Sequence, residues 1–329
     1  MKTWLNSALA LLLVLATLSS LALGTVTVDV WVGLHDWFFH VNSPAAIVVG
    51  EIRLPRTLLS LLVGGALGLS GAALQGLLRN PLADPGLTGA SQGAALGAAA
   101  VFYFGVFPAA GLFAPALAGL IGAGVAMALM LWLAGTAQAS MVLLAGLAIS
   151  TISGALLATV LNFAPNPFAM QELVFWLLGS VSERSMQHVW LLLPALLFGF
   201  VLLWREKQFL AAISLGEEVA QSLGYRFARH SRRVVLAAAV LVGSAVSVAG
   251  AIGFVGLIVP HLLRRWVGHR PDRLLLPSAM LGAILVCVAD MLVRVMPPGR
   301  EIKLGVITAL IGSPLFIWLI WKERKQWQG

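Results

Sequence analysis

The chain has 329 residues, of which 60% are apolar and 10% charged, against about 25% charged in an ordinary soluble domain. A mean hydropathy of +0.94 excludes both a water-soluble globular domain and a disordered chain. The long continuous apolar runs exclude a membrane β-barrel, whose strands alternate, and the net charge of +8 has to be mapped onto topology before it can suggest any partner.

Apolar runs bounded by Gly, Pro and charge predict ten spans, at about 4–24, 57–78, 88–107, 110–134, 141–162, 189–204, 233–252, 254–267, 274–296 and 303–321. The expectation is an all-α integral membrane protein of about ten transmembrane helices, one polytopic domain over 1–329. The first span also has features of a signal peptide, one Lys before an apolar run ending Ala22-Leu23-Gly24, but its length and the charge pattern favour retention. The eighth span is short and contains Pro260, and Glu172 to Ser180 reads as a short helix at the surface. With the N-terminus inside, 15 of the 21 basic residues fall on the inner side and 6 on the outer. That bias follows the positive-inside rule, so most of the charge is topology and no nucleic acid need be invoked.

Small residues recur at helical spacing: Gly64 and Gly68, then Gly89, Gly93 and Gly97, then Gly250, Gly253 and Gly256. Such steps let backbones approach closely, as bundle packing or as a pore or dimer seam. The single Cys287, in an apolar run, reads as a buried small hydrophobe. The sequence contains no Gly-Lys pair and therefore no Walker A loop, and no H-E-x-x-H, C-x-x-C or G-x-S-x-G. Its six His are scattered. A built-in enzyme and a metal site are therefore not expected, and transport would draw on an ion gradient or on a separate ATPase. The clearest intramembrane acid is Asp290, four residues before Arg294 and able to pair with it on one helix face. Such an acid could also serve a proton relay, which keeps an ion-coupled secondary transporter as the alternative reading and an integral-membrane enzyme as a third.

The most informative loop is the longest inner one, 205–233. Ser214-Leu215-Gly216-Glu217 reads as a capping box, opening a short helix to about Leu223 that Gly224 stops, with Glu217 and Glu218 in its first turn. It could be a solvated connector or a rigid knob for a partner. The run Glu218 to Gly224, E-V-A-x-x-x-G with Ala220 in third place, resembles the E-A-A-x-x-x-G loop of ABC importer permeases.

The resemblance extends along the chain. It takes in R-L-P-R at Arg53 to Arg56, S-G-A-A-L-Q at Ser70 to Gln75, R-N-P-L-A-D-P-G at Arg79 to Gly86 and G-A-S-Q-G-A at Gly89 to Ala94. It continues with G-F-V-G-L-I-V-P-H-L-L-R at Gly253 to Arg264 and L-G-V-I-T-A-L-I-G-S-P-L-F at Leu304 to Phe316. Together these are similar to the permease family that imports iron–siderophore complexes, haem and vitamin B12. The resemblance implies ten helices per subunit, two permease copies (a homodimer being expected), two cytoplasmic ABC ATPases and a periplasmic substrate-binding protein. It implies a bacterial inner-membrane location, no cofactor on this chain, and ATP with Mg²⁺ on the partner ATPase, while the charge count places both termini in the cytoplasm. It assigns ATPase coupling to Ser214, Glu217, Glu218, Ala220 and Gly224, binding-protein docking to Arg53, Arg56 and Arg294, and a cytoplasmic gate to Asn80 and Leu82. The turn at Gln138 to Ser140 is a weaker gate candidate, and Phe168, Phe175 and Trp176 could touch a flat cargo or sit in lipid. Iron–siderophore is the first expectation for cargo, haem the second and vitamin B12 the third.

Overall fold

The computed structural model describes residues 3–24, 26–105, 107–135, 139–163, 167–268, 270–296 and 302–327. Helix is the only regular secondary structure among these residues. In chain order they form α1 (Thr3–Ala22), α2 (Val30–Phe38), α3 (Pro44–Ala46), α4 (Leu54–Leu77), α5 (Ala90–Phe104), α6 (Ala114–Ala134) and α7 (Ala139–Asn162). There follow α8 (Pro167–Leu177), α9 (Met186–Arg205), α10 (Lys207–Ile213), α11 (Glu217–Ser222), α12 (Phe227–Ala249), α13 (Val255–Val267), α14 (Pro271–Val295) and α15 (Leu304–Trp327). Each of the ten expected spans coincides with a helix. Seven are long and apolar enough to cross a bilayer, with α5, α13 and the apolar part of α15 shorter.

Packing contacts gather Arg205, Lys207, Arg226, Arg229, Arg264 and Arg265 at one end, the basic end: Glu206 pairs with His230, Arg264 donates to Gln75, and Leu210 lies beside Gly76. Trp4 and Trp266 meet there edge to face, and at the opposite end Ser180 donates its N–H to the Ala249 carbonyl. The Gln138 end of the turn before α7 lies outside the described residues.

The core forms around α4 and α12, whose apolar windows are 78% buried, against 28% for α1 and α7. Between α4 and its neighbours there is room for backbone only. A Cβ on Gly64 would lie 2.2 Å from the Gly282 carbonyl oxygen, one on Gly68 2.1 Å from that of Ser278, and one on Gly71 1.9 Å from that of Gly256. The same close approach joins α5 to α6, where a Cβ on Gly97 would fall 2.1 Å from the Ala118 oxygen. Lipid tails are as apolar as Leu, so this contact area, rather than escape from water, holds the helices together.

Three segments differ from the expected spans. The second span begins well before residue 57: α3, a π-helical turn at Ile47–Arg53 and α4 run on as one 34-residue helix, Pro44–Leu77. Ser43 caps it by accepting the Ala46 N–H, and Pro44 fits its first turn. The expected surface helix at 172–180 is α8, which starts at Pro167 and buries Leu173 and Trp176 on one side. The eighth span, α13, has 13 residues, about 20 Å of helix against a hydrocarbon core of about 30 Å. Non-helical backbone at 250–254 makes up the rest, with Phe254 itself left-handed at φ +68°. Protein packs against part of that backbone, since a Cβ on Gly250 would lie 2.1 Å from the Trp176 oxygen and one on Gly179 2.5 Å from the Ala251 oxygen, while Ala251 and Gly253 themselves are exposed.

Candidate functional site

At the basic end, α9 stops at Glu206, α10 runs to Ile213, and a short turn leads into α11. The expected capping box is not formed. Ser214 is the C-cap of α10, and its hydroxyl donates to the Ala211 carbonyl at 2.7 Å. The N-cap of α11 is instead Gly216, with φ +124° and no side-chain cap. A capping box needs its Ser at the N-cap, and α10 extends far enough to claim this one for its own last turn. The stop at Gly224 is formed. Its φ is +89°, its N–H donates to Gln221, and the Tyr225 N–H donates to Ala220, the paired bonds of a Schellman motif. Glu217 and Glu218 fall in the first turn of α11, and Ala220 is its buried contact with the body.

Leu215 just before α11, Val219 within it and Leu223 at its C-cap are exposed apolar residues of this arm, with Leu215 69% and Leu223 61% exposed. The sequence analysis did not single them out, although their spacing is readable.

The turn after α4 curls back into the bundle. The Asn80 side chain accepts the Leu82 N–H at 2.9 Å, and the Asp84 side chain accepts the Gly86 N–H at 2.6 Å. Gly89, at φ +75°, then opens α5. Asn80 and Leu82 are both exposed, while Pro85 lies under α13, 2.6 Å from where a Gly256 Cβ would stand. Burial raises the Asp84 carboxyl above its ordinary value, and the bond from Gly86 opposes the shift.

The three docking candidates Arg53, Arg56 and Arg294 gather at the opposite end, each engaged within the chain. Arg53 is 4% exposed, and donates to the Leu21 and Ala22 carbonyls at 2.9 Å and to that of Val26. It caps the C-terminus of α1. Arg56 reaches across to buried Asp290, at 2.9 Å from Nε to Oδ1, and Arg294 binds the other oxygen at 2.8 Å while donating to the Ser20 carbonyl. The expected Asp290–Arg294 pair is thus one half of a buried triad joining α1, α4 and α14.

A cavity of about 640 Å³ opens between α5, α8, α9 and the end of α12. Phe175 and Trp176 line it with Glu172, Arg184, His188 and Lys303, but Phe168, 81% exposed, is not among its walls. Among the described residues no three His, Cys, Asp or Glu cluster as metal ligands would.

Comparison with known proteins agrees with this architecture. Residues 11–322 match the model of the FecCD transport family. The chain is 39% identical over 326 residues to the vitamin B12 import system permease protein BtuC of Salmonella paratyphi A, covering 98% of this chain and 96% of that one. It is 38% identical over 325 residues to its counterpart in Salmonella arizonae, covering 98% and 95%. A solved inward-facing structure assigned to the metal-chelate type of ABC transporter superimposes with a TM-score of 0.82 at 31% identity, over 96% of this chain and 98% of that one. The chain belongs to the FecCD transport family, as a membrane permease subunit of the ABC importer type and not an enzyme.

Proposed function

We propose that this permease works with a separate ATPase and a substrate-binding protein to import a metal chelate, with the basic end in the cytoplasm and a second copy of the chain completing the pathway. The observation that carries this reading is α11. It is a short arm fixed by a Schellman stop, with two Glu in its first turn and exposed apolar residues. An amphipathic arm of this kind fits a groove in a partner. Closure of the ATPase pair on ATP would displace α11 and switch which end of the pathway is open, with Asn80 and Leu82 at the inner constriction.

Vitamin B12 moves ahead of iron–siderophore and haem as the cargo, because the similar permeases carry its name. The aromatic-walled cavity at the outer end is consistent with a large, flat chelate. Docking of the binding protein at the Arg53, Arg56 and Arg294 corner would require Arg56 to exchange Asp290 for a partner carboxylate, favouring orientation over affinity.

Reconstitution with the ATPase and binding protein tests the proposal, measuring ATP-dependent uptake of cyanocobalamin beside a ferric siderophore and haem. Glu218→Ala and Gly224→Val are expected to cut uptake about tenfold while binding-protein docking is unchanged. Normal uptake by both variants would remove α11 from the mechanism. Absence of ATP-dependent uptake of any chelate would end the proposal.

A further inference from the structure

Glu206 is a buried carboxylate that no motif marks, 2% exposed at the basic end. Its N–H closes α9 on the Leu202 and Leu203 carbonyls, and its own carbonyl accepts the Leu210 N–H at 2.9 Å to open α10. Its carboxylate crosses to α12, where Oε2 lies 2.6 Å from His230 Nδ1 and Oε1 accepts Arg233 Nη1 at 3.0 Å. The His230 ring stacks on fully buried Phe209 of α10, with centroids 5.1 Å apart, and stands edge-on to Tyr225, just after α11. The coupling arm is thereby fastened to α12 from both of its short helices.

The neighbouring Arg232 takes a different partner. Its Nε donates to the Gly135 carbonyl at 3.1 Å, and its Nη2 donates to the same oxygen. Gly135, at φ +58°, closes α6 immediately before the turn into α7. The first two turns of α12 therefore hold the arm on one side and the end of α6 on the other.

We infer that the first two turns of α12 are a relay, carrying displacement of α11 through Glu206 and His230 into α12 and onward through Arg232 to the end of α6. A short helix on a flexible connector would swing without moving the spans. A carboxylate buried with two partners is costly to separate, so α10 and α12 move as one body. Two donors from one guanidinium onto one carbonyl likewise fix the end of α6 to α12. Glu206 and Arg232 are positioning residues, and this role rests on the reading of α11 as the ATPase contact.

The experiment uses the full chain with its ATPase and binding protein in proteoliposomes and reads cyanocobalamin, or whichever chelate is transported, imported per ATP hydrolysed. Glu206→Gln and Arg232→Gln are expected to keep ATPase association and to hold hydrolysis within about twofold, while import per ATP falls about fivefold. Arg232→Lys, which retains one donor, should recover part of the loss. The double variant should be no worse than the poorer single, as for links in series. Import per ATP at the wild-type ratio in Arg232→Gln, or losses that simply add, would overturn the relay. Should Glu206→Gln fail to fold, Arg232→Gln and Arg232→Lys decide the matter alone. Normal transport in the α11 variants would instead break the ATPase-contact reading. Uncoupling in those variants alongside normal ratios at Glu206 and Arg232 would break the relay only.

Discussion

Along the seam of α4 with α13 and α14, carbonyl oxygens stand where side chains would otherwise be, and the charges nearby are buried and paired. The arm of α10 and α11 is held in another way, by one carboxylate, a small group of rings and a glycine stop, with apolar residues left exposed. The seam has no alternative packing within reach, because a backbone atom cannot change rotamer. The arm is attached through side chains that can reorient around a fixed core. Under the mechanism proposed above, the first kind of contact suits parts that travel together, and the second suits a part that a partner displaces.

The sharpest way to break this contrast is at Gly71. A side chain there meets the Gly256 carbonyl at 1.9 Å, and α13 would have to leave α4. Overpacking of an ordinary core costs about 1–3 kcal/mol, and contact with rigid backbone exceeds that. Gly71→Val should abolish the monodisperse peak in detergent size-exclusion chromatography. Gly65→Ala, at another position of α4, would place its Cβ 3.5 Å from its nearest neighbour, the Ala279 carbonyl oxygen of α14, and should be silent. Equal tolerance at the two positions would refute the seam.

The next effect is at the charged corner. Asp290→Asn strands two guanidiniums at a buried site and should cost about 3–5 kcal/mol, read as a lowered unfolding midpoint. Adding Arg294→Met removes one stranded charge and should return part of the loss, because residues of one network do not add. Full recovery would mean that Arg56 contributes nothing to the triad.

Much of this architecture was legible in the sequence because the bilayer imposes it. An apolar run long enough to cross must close its own backbone bonds, so the seven long spans stand out by hydropathy, while α5, α13 and α15 needed their Gly, Pro and charge boundaries. The Gly64, Gly68 and Gly97 stripes announced close approach, but period alone does not say which helix approaches. The resemblance assigns Arg53 and Arg56 to binding-protein docking from motif position alone. Their internal partners, the end of α1 and Asp290, are distant in sequence and visible only once the helices pack. The Ser214 capping box failed because local spacing cannot show that α10 reaches that serine first. Glu206 was invisible for a related reason: nothing near it in the chain distinguishes a buried Glu from a solvated one, and its partners sit 24 and 27 residues on.

The smallest expected effect sharpens the comparison at the inner turn, which shares features of both regions. Asp84 is tied to backbone like the seam, through Gly86, yet it carries an ionisable group that burial disfavours when charged. Its folded pKa is raised, so the folded chain holds this proton more tightly than the unfolded chain does. This group's contribution therefore falls as pH rises from the ordinary carboxylate value of about 4 through the raised one, and is constant above it. Asp84→Asn keeps an oxygen to accept the Gly86 N–H and removes the charge. The variant should melt slightly higher than the parent at neutral pH, with the difference shrinking as pH is lowered toward 4. A gap that instead widened toward acid would mean that the ionised carboxylate is favoured at this turn, and that its bond to Gly86 outweighs its burial.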